Sequence, residues 1–498
     1  MIIRRTIILN LLLPVLVAIY LFLAMHFFAW VIDDLYIYFR YVDNFISGNG
    51  IAFNKGEYVE GFSSFLWFLY LSICGTLNFP LEAAAKYSSL VLSVINALII
   101  YRLSSYIIPG KYSIVAAVIT LFSLPYMLWA ISGFELMLYI FLTLIASYIA
   151  LTQYRKSLMI FLSLLLFLIV ITRPEGILPS LAILAFLYFA KGMRSELKLP
   201  ALLFSSLLIL FLLFRYSYFG DFLPNTYYAK IGHDFIGNYE LRSYKNGLLY
   251  FLFFLKSNPQ FIPAVLFSVY VLLKVRYSKP MLLFVVLFYC QIVFIVISGG
   301  DWMVQYRFAV PAIPLLALIT SGLMKYLADK FNKNSFAVSL SAVALCFVAA
   351  ASLKLNDYSV IDREIILWNN LKAIAPSMNG VIPAGSLAAS GACGIMPYYM
   401  REVNFIDMVG LTNSHIAKNG YRSGMWFERS LPGYVYSLEP QWLIMWKRSI
   451  SGGEYLFNNA APVYNEMSLD PGFADYELSK TYDVLHDVKI EFYKRKGN

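Results

Sequence analysis

The chain has 498 residues, of which 60% are hydrophobic and only 14% charged, and its mean hydropathy is +0.67. A soluble protein of this size carries roughly 25% charged residues, so a soluble globular enzyme is excluded. The net charge of +10 does not point to nucleic acid, because the basic residues sit mainly in short loops between apolar runs, where they set orientation in a membrane.

Those apolar runs, each about 20 residues and so able to cross ~30 Å of hydrocarbon, recur through the first 353 positions. In chain order they predict helices near 7–30, 83–107, 112–130, 135–152, 157–172, 176–191, 200–217, 260–274, 280–298, 308–324 and 335–353, eleven spans in all. Arg4 and Arg5 precede the first run as in a secretory signal. That run is long and lacks a small-residue cleavage site, so a retained first helix is expected.

The first span runs into Asp33 and Asp34. Carboxylates at a membrane boundary are costly unless solvated or paired, and they usually mark function. An aspartate held there can take a proton from a hydroxyl; the bland alternative is an interfacial pair that merely ends the helix. Arg40 and Glu60 follow in the same loop. Segment 63–79 is apolar enough to be a twelfth span, but is read as an amphipathic helix lying on the outer face, and 247–257 is read the same way.

Three further loops combine charge and aromatics. Thr172-Arg173-Pro174-Glu175-Gly176 interrupts two spans, with proline and glycine ending one helix and starting the next. Arg173 suits a phosphate, because a guanidinium binds it bidentately and never loses its charge; the alternative is a structural Arg173–Glu175 pair. In Gly220–Lys230, Asp221 and Asn225 can bond hydroxyls, Tyr227 and Tyr228 can stack on sugar or prenyl surface, and Lys230 can meet phosphate. Aromatics at such a place also form interfacial belts. In Ser298–Arg307, two glycines permit close backbone approach, Asp301 offers a carboxylate, Trp302 a stacking face, and Arg307 can reach a phosphate or pair with Asp301.

Charge decides between eleven and twelve spans. With eleven, and the N-terminus inside, the cytoplasmic loops hold Arg4/Arg5, Arg102/Lys111, Arg155/Lys156, Lys191/Arg194/Lys198, Lys274/Arg276/Lys279 and Lys325/Lys330/Lys333, against only Glu196 and Asp329. A crossing by 63–79 would destroy that bias. Asp33, Asp34, Glu60, Glu135, Arg173, Glu175, Asp221 and Asp301 are therefore expected outside the cytoplasm, as is the tail, residues 354–498. The expected location is a bacterial cytoplasmic (inner) membrane, with a cytoplasmic N-terminus and a periplasmic C-terminal domain. No nucleotide is available on that side, so an enzyme there draws its activated donor from a lipid.

The tail is far less apolar and contains strand-like runs, GSLAAS, VNFID, WLIMW and KIEFYKRK, with a helix-compatible stretch at 361–374. The alternation predicts an α/β layer fold. The expected domains are 1–353, a helical membrane part, and 354–498, a soluble α/β domain. Cys74, Cys290, Cys346 and Cys393 are isolated and the four histidines form no HxxxH, so neither a disulfide framework nor a metal site is expected.

Several of these strings are familiar as a set. DDLYIYFRYVDNFISGNGIAFNKGEYVEGFSSFLW, ISGFE, TRPEG, GDFLPNTYYAK, SGGDWMVQYRFAVPAIPLL and GACGIMPYYMREVNFIDMVGLTNSHIAK resemble the GT-C superfamily of lipid-linked glycosyltransferases. More narrowly, they resemble its AftB-like (terminal arabinofuranosyltransferase-like) branch. The resemblance implies a polyprenyl-phosphate sugar donor, a glycan or glycoprotein acceptor, and an essential aspartate in the first outer loop, which maps onto Asp33 or Asp34. Enzymes of that superfamily mostly work without a bound metal, so the resemblance implies no cofactor, with a divalent metal on the outer-face carboxylates as the alternative. Arginine or lysine (Arg40, Arg173, Lys230, Arg307) would meet the donor phosphate, and Glu60, Glu175, Asp221, Asn225, Tyr227, Tyr228, Asp301 and Trp302 would line the substrate. Two departures, ISGFE in place of a TGLE-like string and a shorter tail, leave open whether the sugar is arabinofuranose or another pentose or hexose.

A phosphate leaving group is weakly basic, so one general base plus cations for the departing charge suffices, without the paired carboxylates of glycosidases. Two other function classes compete. A lipid-linked sugar transporter or flippase would place its polar sites near the midplane, whereas these motifs sit at span ends. A non-enzymatic scaffold tied to surface structures would tolerate loss of Asp33 and Asp34.

Overall fold

The structure is a computed structural model. It describes residues 2–108, 110–152, 155–230, 239–274, 278–330, 358–422, 429–450, 454–456 and 461–497. The predicted span 335–353, and with it the domain boundary at 353/354, lies outside them.

Through residue 330 the described chain is helical. The helices are α1 (Ile2–His26), α2 (Asp33–Ile46), α3 (Phe65–Thr76), α4 (Leu81–Ser105), α5 (Ile114–Leu121), α6 (Leu124–Ile131), α7 (Leu136–Leu151) and α8 (Lys156–Thr172). They continue as α9 (Ile177–Ala185), α10 (Lys198–Phe219), α11 (Asn225–Lys230), α12 (Tyr239–Ser257), α13 (Ile262–Leu273), α14 (Lys279–Ser298) and α15 (Ala312–Lys330).

Among the described residues, α4, α10, α14 and α15 are each long and apolar enough to cross a membrane. Two bent pairs reach that length together: α5 with α6, bent by 66°, and Tyr244–Ser257 with Pro259–Leu273, bent by 101°. Among the described residues up to six segments meet that length and composition, and Leu13–His26, Leu136–Leu151, Lys156–Thr172 and Pro174–Ala190 are shorter apolar helices where further spans were expected. Hydropathy does not register the break at Ser123 and Pro125 inside 112–130; Asn258-Pro259 separates α12 from α13 between the expected segments 247–257 and 260–274. Helices α7 and α8, with 16 and 17 residues, rise about 24–26 Å, a little under a ~30 Å core.

The segment 63–79 is not amphipathic. Its helix α3 has 12 residues, too short to cross. It buries Phe65, Trp67, Phe68 and Leu71 while exposing Leu69 and Ile73, so both faces are apolar. In 247–257 likewise, Tyr250, Phe251 and Phe254 are buried and Leu248, Leu252 and Phe253 exposed. An apolar run with no polar stripe suits a lipid environment on its outer side.

The chain divides into two compact units, residues 1–28, 82–209 and 241–358 in one, and 29–81, 210–240 and 359–498 in the other. The first is a helical bundle with α14, α15, α5, α13 and α9 at its centre. Small residues let its helices approach: Ser89, Ser93, Ala97 and Ser104 of α4 are all fully buried. Buried hydroxyls find partners within apolar surroundings, as Tyr20 does with Ser93 at 2.8 Å and Ser104 with Ser321 at 2.9 Å. Gly247 of α12 admits the α14 backbone, where a Cβ would stand 2.7 Å from the Cα of Val296.

The second unit is an α/β body. Its strands are β1 (Leu387–Ser390), β2 (Asn404–Asp407), β3 (Tyr421–Arg422), β4 (Arg429–Ser430), β5 (Trp442–Ser449), β6 (Tyr455–Leu456), β7 (Tyr476–Leu485) and β8 (Val488–Arg495). The main sheet runs β2-β1-β5-β8-β7, parallel across β2, β1 and β5 and antiparallel across β5, β8 and β7. GSLAAS, VNFID, WLIMW and KIEFYKRK supply β1, β2, β5 and β8, and helix α16 (Tyr358–Met378) covers the stretch 361–374. Strand β5 is buried along Trp442–Trp446, as a central strand covered on both faces must be. The unit also takes in the two upstream segments, 29–81 and 210–240, which carry α2, α3 and α11.

Candidate functional site

Asp33 and Asp34 open α2, in its first turn, where carboxylates complement the helix dipole. Asp33 is 6% exposed, and both of its oxygens are used. The Gly394 amide donates to Oδ2 at 3.0 Å and the Ile395 amide to Oδ1 at 2.7 Å. A Cβ on Gly394 would overlap the backbone carbonyl of Asp33, so only glycine fits there. Burial pushes the Asp33 carboxyl up to about 7; the charges of Asp34 and Asp407 add to this, and the two amides oppose it. Asp34 is half-buried, one residue on and about 100° round the helix.

Asp407, at the end of β2, is a second buried carboxylate near Asp33. It accepts from the amides of Val409, Gly410 and Thr412 at 2.7–3.2 Å. Burial raises its proton affinity, and the bonds from Thr412, Val409 and Cys393 lower it. Burial and the neighbouring carboxylates hold Cys393 as a thiol.

Arg40 is on the same helix and is also buried. Its Nε donates to the Phe53 carbonyl at 2.8 Å, Nη1 to the carbonyls of Pro397 and Met400, and Nη2 to the Val403 carbonyl at 2.7 Å and to Asn54 Oδ1. All three nitrogens rest on protein acceptors. The guanidinium that sequence spacing offered to a phosphate is thus a tie between the first loop and the tail.

Other expected substrate contacts in this unit are similarly engaged. Glu60 takes the fork of Arg215, with Nε at 2.6 Å and Nη2 at 3.0 Å, inside the unit. Asp221 pairs with Lys418 at 2.7 Å. Asn225 donates to the carbonyls of Gly410 and Leu411, both at 2.8 Å. Tyr227, Tyr228 and Lys230 are half-buried on α11, with Lys418 Nζ 5.0 Å from the Tyr228 ring.

The first unit carries the remaining expected residues. Gly176 lets the 173–176 turn close on α8, where a Cβ would stand 2.6 Å from the Ile169 carbonyl. Within that turn Arg173 binds Glu135 at 2.6 Å through Nη1 and Glu175 through Nε. Arg307 forks onto Asp301, with Nε at 2.7 Å and Nη2 at 3.0 Å. Both guanidiniums face the Phe308 ring, Arg173 at 5.7 Å and Arg307 at 5.1 Å, so two distant loops form one cluster. Among the described residues, Nη2 of Arg173 and Nη1 of Arg307 have no hydrogen-bond partner.

The loop before Arg307 is strained. Gln305 and Tyr306 both have positive φ, 58° and 54°, a conformation non-glycine residues hold only when their surroundings impose it, usually at functional sites. Trp129 Nε1 donates to the Gln305 carbonyl at 3.1 Å, and the Tyr306 hydroxyl meets Ser257 at 2.8 Å. Trp302 is 44% exposed.

Sequence reasoning did not assign roles to Arg215, Asp407, Asn54, Gly394 or Phe308. The partners of Arg215, Asn54 and Gly394 lie far along the chain, whereas Asp407 is held by amides two to five residues on. Among the described residues no group of three or more His, Cys, Asp or Glu side chains is arranged to hold a metal ion.

Comparison with known proteins agrees with this architecture. Residues 363–493 match a domain family of unknown function, DUF8728. Over 261 residues, 48% of this chain, the sequence is 28% identical to the terminal β-(1→2)-arabinofuranosyltransferase of Mycobacterium tuberculosis, and the match spans 39% of that protein's length. ArnT from Cupriavidus metallidurans, solved bound to undecaprenyl phosphate, superposes with a TM-score of 0.60 over 96% of this chain and 97% of its own, at 12% identity. The archaeal oligosaccharyltransferase AglB from Archaeoglobus fulgidus, in complex with an inhibitory peptide and a dolichol-phosphate, gives 0.56 over 95% and 80%, at 13% identity. The fold is like that of these two solved structures: an apolar helical part with a C-terminal sheet-containing domain.

Proposed function

We propose that this chain, with its GT-C fold, is a membrane glycosyltransferase that moves a sugar from a polyprenyl-phosphate donor to an extracytoplasmic glycan or glycoprotein acceptor. The observation that carries this reading is the carboxylate pair at the start of α2, one member buried and seated by two amides, the other half-buried beside it. In the proposed step the Asp34 carboxylate takes the proton of an acceptor hydroxyl. The hydroxyl oxygen bonds to the anomeric carbon, and the bond from that carbon to the phosphate oxygen breaks. Polyprenyl phosphate leaves with the electron pair.

The charge that grows on the departing phosphate calls for cations placed in advance. Within their own unit, Arg173 and Arg307 have the chemistry a phosphate calls for, because each is oriented by carboxylates and keeps a nitrogen unused among the described residues. Exposed Trp302 and half-buried Tyr227 and Tyr228 offer faces for sugar or prenyl surface. The excess of lysine and arginine in alternate loops supports a cytoplasmic N-terminus and an extracytoplasmic tail. The transporter and scaffold readings lack comparable support, since neither accounts for the seated acidic pair.

The test is transfer of radiolabelled sugar from polyprenyl-phosphate donors by the purified chain, with Asp34→Asn beside it. Removing a general base costs about 10²–10⁴-fold in rate. An Asp34→Asn protein that turns over at the wild-type rate removes Asp34 as the base. A periplasm-dependent reporter at the C-terminus checks the orientation, and activity only in the cytoplasm overturns it.

A further inference from the structure

Helix α2 presents Asp33, Tyr36, Ile37 and Arg40 at i, i+3, i+4 and i+7, one stripe along one face. The two ends of that stripe are fastened to the same short segment, Gly394–Val403. At the first end the amides of Gly394 and Ile395 hold both Asp33 oxygens. Two turns later, about 10 Å along the axis, the Arg40 fork meets the carbonyls of Pro397, Met400 and Val403. Between them the Tyr36 ring packs edge-on against Tyr398, centroids 5.4 Å apart.

The rest of the Arg40 environment completes a socket. Its guanidinium lies 4.7 Å from the Phe53 ring and 5.3 Å from that of Phe405. Asn54 accepts from the Phe405 amide at 2.9 Å and donates to the Phe405 carbonyl at 2.8 Å, so the loop after α2 is joined to β2 like an extra strand residue. Every hydrogen bond of Arg40 goes to a neutral oxygen. What the socket selects is therefore a planar fork with donors in several directions, which lysine's single ammonium does not reproduce.

A rigid helix fastened at two points cannot slide or rotate. Asp34 neighbours the first fastening and lies off the stripe, so its position follows from the two ties. We propose that Arg40 is a positioning residue, which by locking α2 onto the Gly394–Val403 segment sets where the Asp34 carboxylate stands for proton transfer. This rests on the glycosyltransferase reading of Asp34. It makes the tail part of the catalytic apparatus and predicts that Arg40 acts on turnover, not on donor binding.

The experiment uses the full-length protein and Arg40→Lys, with steady-state transfer from a polyprenyl-phosphate sugar and hydrogen–deuterium exchange. The expected result is a kcat lower by about 10- to 100-fold, the scale of a misplacement near 1 Å, with donor KM within about twofold. Exchange is expected to rise together in 35–46 and 395–403. An unchanged kcat overturns the proposal. So does a raised donor KM at unchanged kcat, which would put Arg40 on the donor phosphate. Should the wild type transfer from no polyprenyl-phosphate sugar, the glycosyltransferase reading falls. Loss of coupled protection between the two segments would then separately decide the lock. If Arg40→Lys does not yield folded protein, native-state exchange of the wild type serves in its place. The Gly394 and Ile395 amides should open together with α2 as denaturant rises, and separate opening overturns the lock.

Discussion

Asp33→Asn tests how the acidic pair is held. The Asp33 carboxyl is raised from 3.8 to about 7, first by burial and then by the charges of Asp34 and Asp407. The folded protein therefore holds this proton more tightly than the unfolded chain. Between about pH 4 and pH 7 the folded state binds more protons, so stability falls as pH rises, and above pH 7 the whole penalty is present. A shift of roughly 3 units at 1.36 kcal/mol each amounts to ~4 kcal/mol. Asparagine carries no charge to desolvate, but its Nδ2 donates and so leaves one of the two amides without an acceptor, a cost of ~1–3 kcal/mol. Asp33→Asn should consequently be more stable than wild type by ~1–3 kcal/mol at pH 8 and less stable by ~1–3 kcal/mol at pH 4. Tryptophan-fluorescence melting in detergent across pH 4–8, at one scan rate because membrane proteins commonly unfold irreversibly, reads the difference. A variant that is less stable by the same amount at every pH would refute the reasoning, since the two amides would then need the charged acceptor throughout. Stability gained together with transfer lost would identify Asp33 as a group kept for function.

Glu60→Gln should lower stability by ~3–5 kcal/mol, because it strands the buried Arg215 guanidinium, while Glu60→Gln with Arg215→Met should recover most of the loss in the same melts; a silent single variant refutes the pair. Asn225→Ala removes two bonds to tail carbonyls and should cost ~1–3 kcal/mol. Unchanged stability with a raised acceptor KM would return Asn225 to the hydroxyl-binding role suggested by its sequence context. Arg307→Lys keeps the charge but loses the fork to Asp301. Donor KM should rise about tenfold, ~1.4 kcal/mol of lost phosphate contact, and an unchanged donor KM takes Arg307 away from the leaving group.

Much of the fold was legible because it rests on signals local in sequence. Apolar runs located nearly every long helix, and the short strand-like runs GSLAAS, VNFID, WLIMW and KIEFYKRK located β1, β2, β5 and β8. Strand β7, YELSKTYDVL, is exposed along five consecutive residues, Glu477–Thr481, and carries no such signal. Its place is decided by pairing with β8 from Tyr476 to Leu485. The break at Ser123 was missed because window hydropathy averages over a capping residue, whereas the break at Asn258 falls between the segments 247–257 and 260–274 read from the sequence. The acidic pair and the charged loops were found, yet several of their residues were given to substrate when their partners are in the protein. Arg40, Asp221 and Asn225 each meet tail residues some 180 to 360 positions away, and local spacing holds no record of those.

From the sequence alone came the membrane class, the positions of the helices, the acidic pair and the chemical types of the loops around it. Each of these follows from residue-by-residue solvation costs, which a linear string states directly. Tertiary structure alone decided that α2 is built into the tail's own unit, that Asp33 is seated while Asp34 stands beside the seat, and that Arg173 and Arg307 share one aromatic ring. Buried hydrogen-bonding groups must be satisfied by whatever partner folding brings within about 3 Å, and only the folded chain chooses that partner.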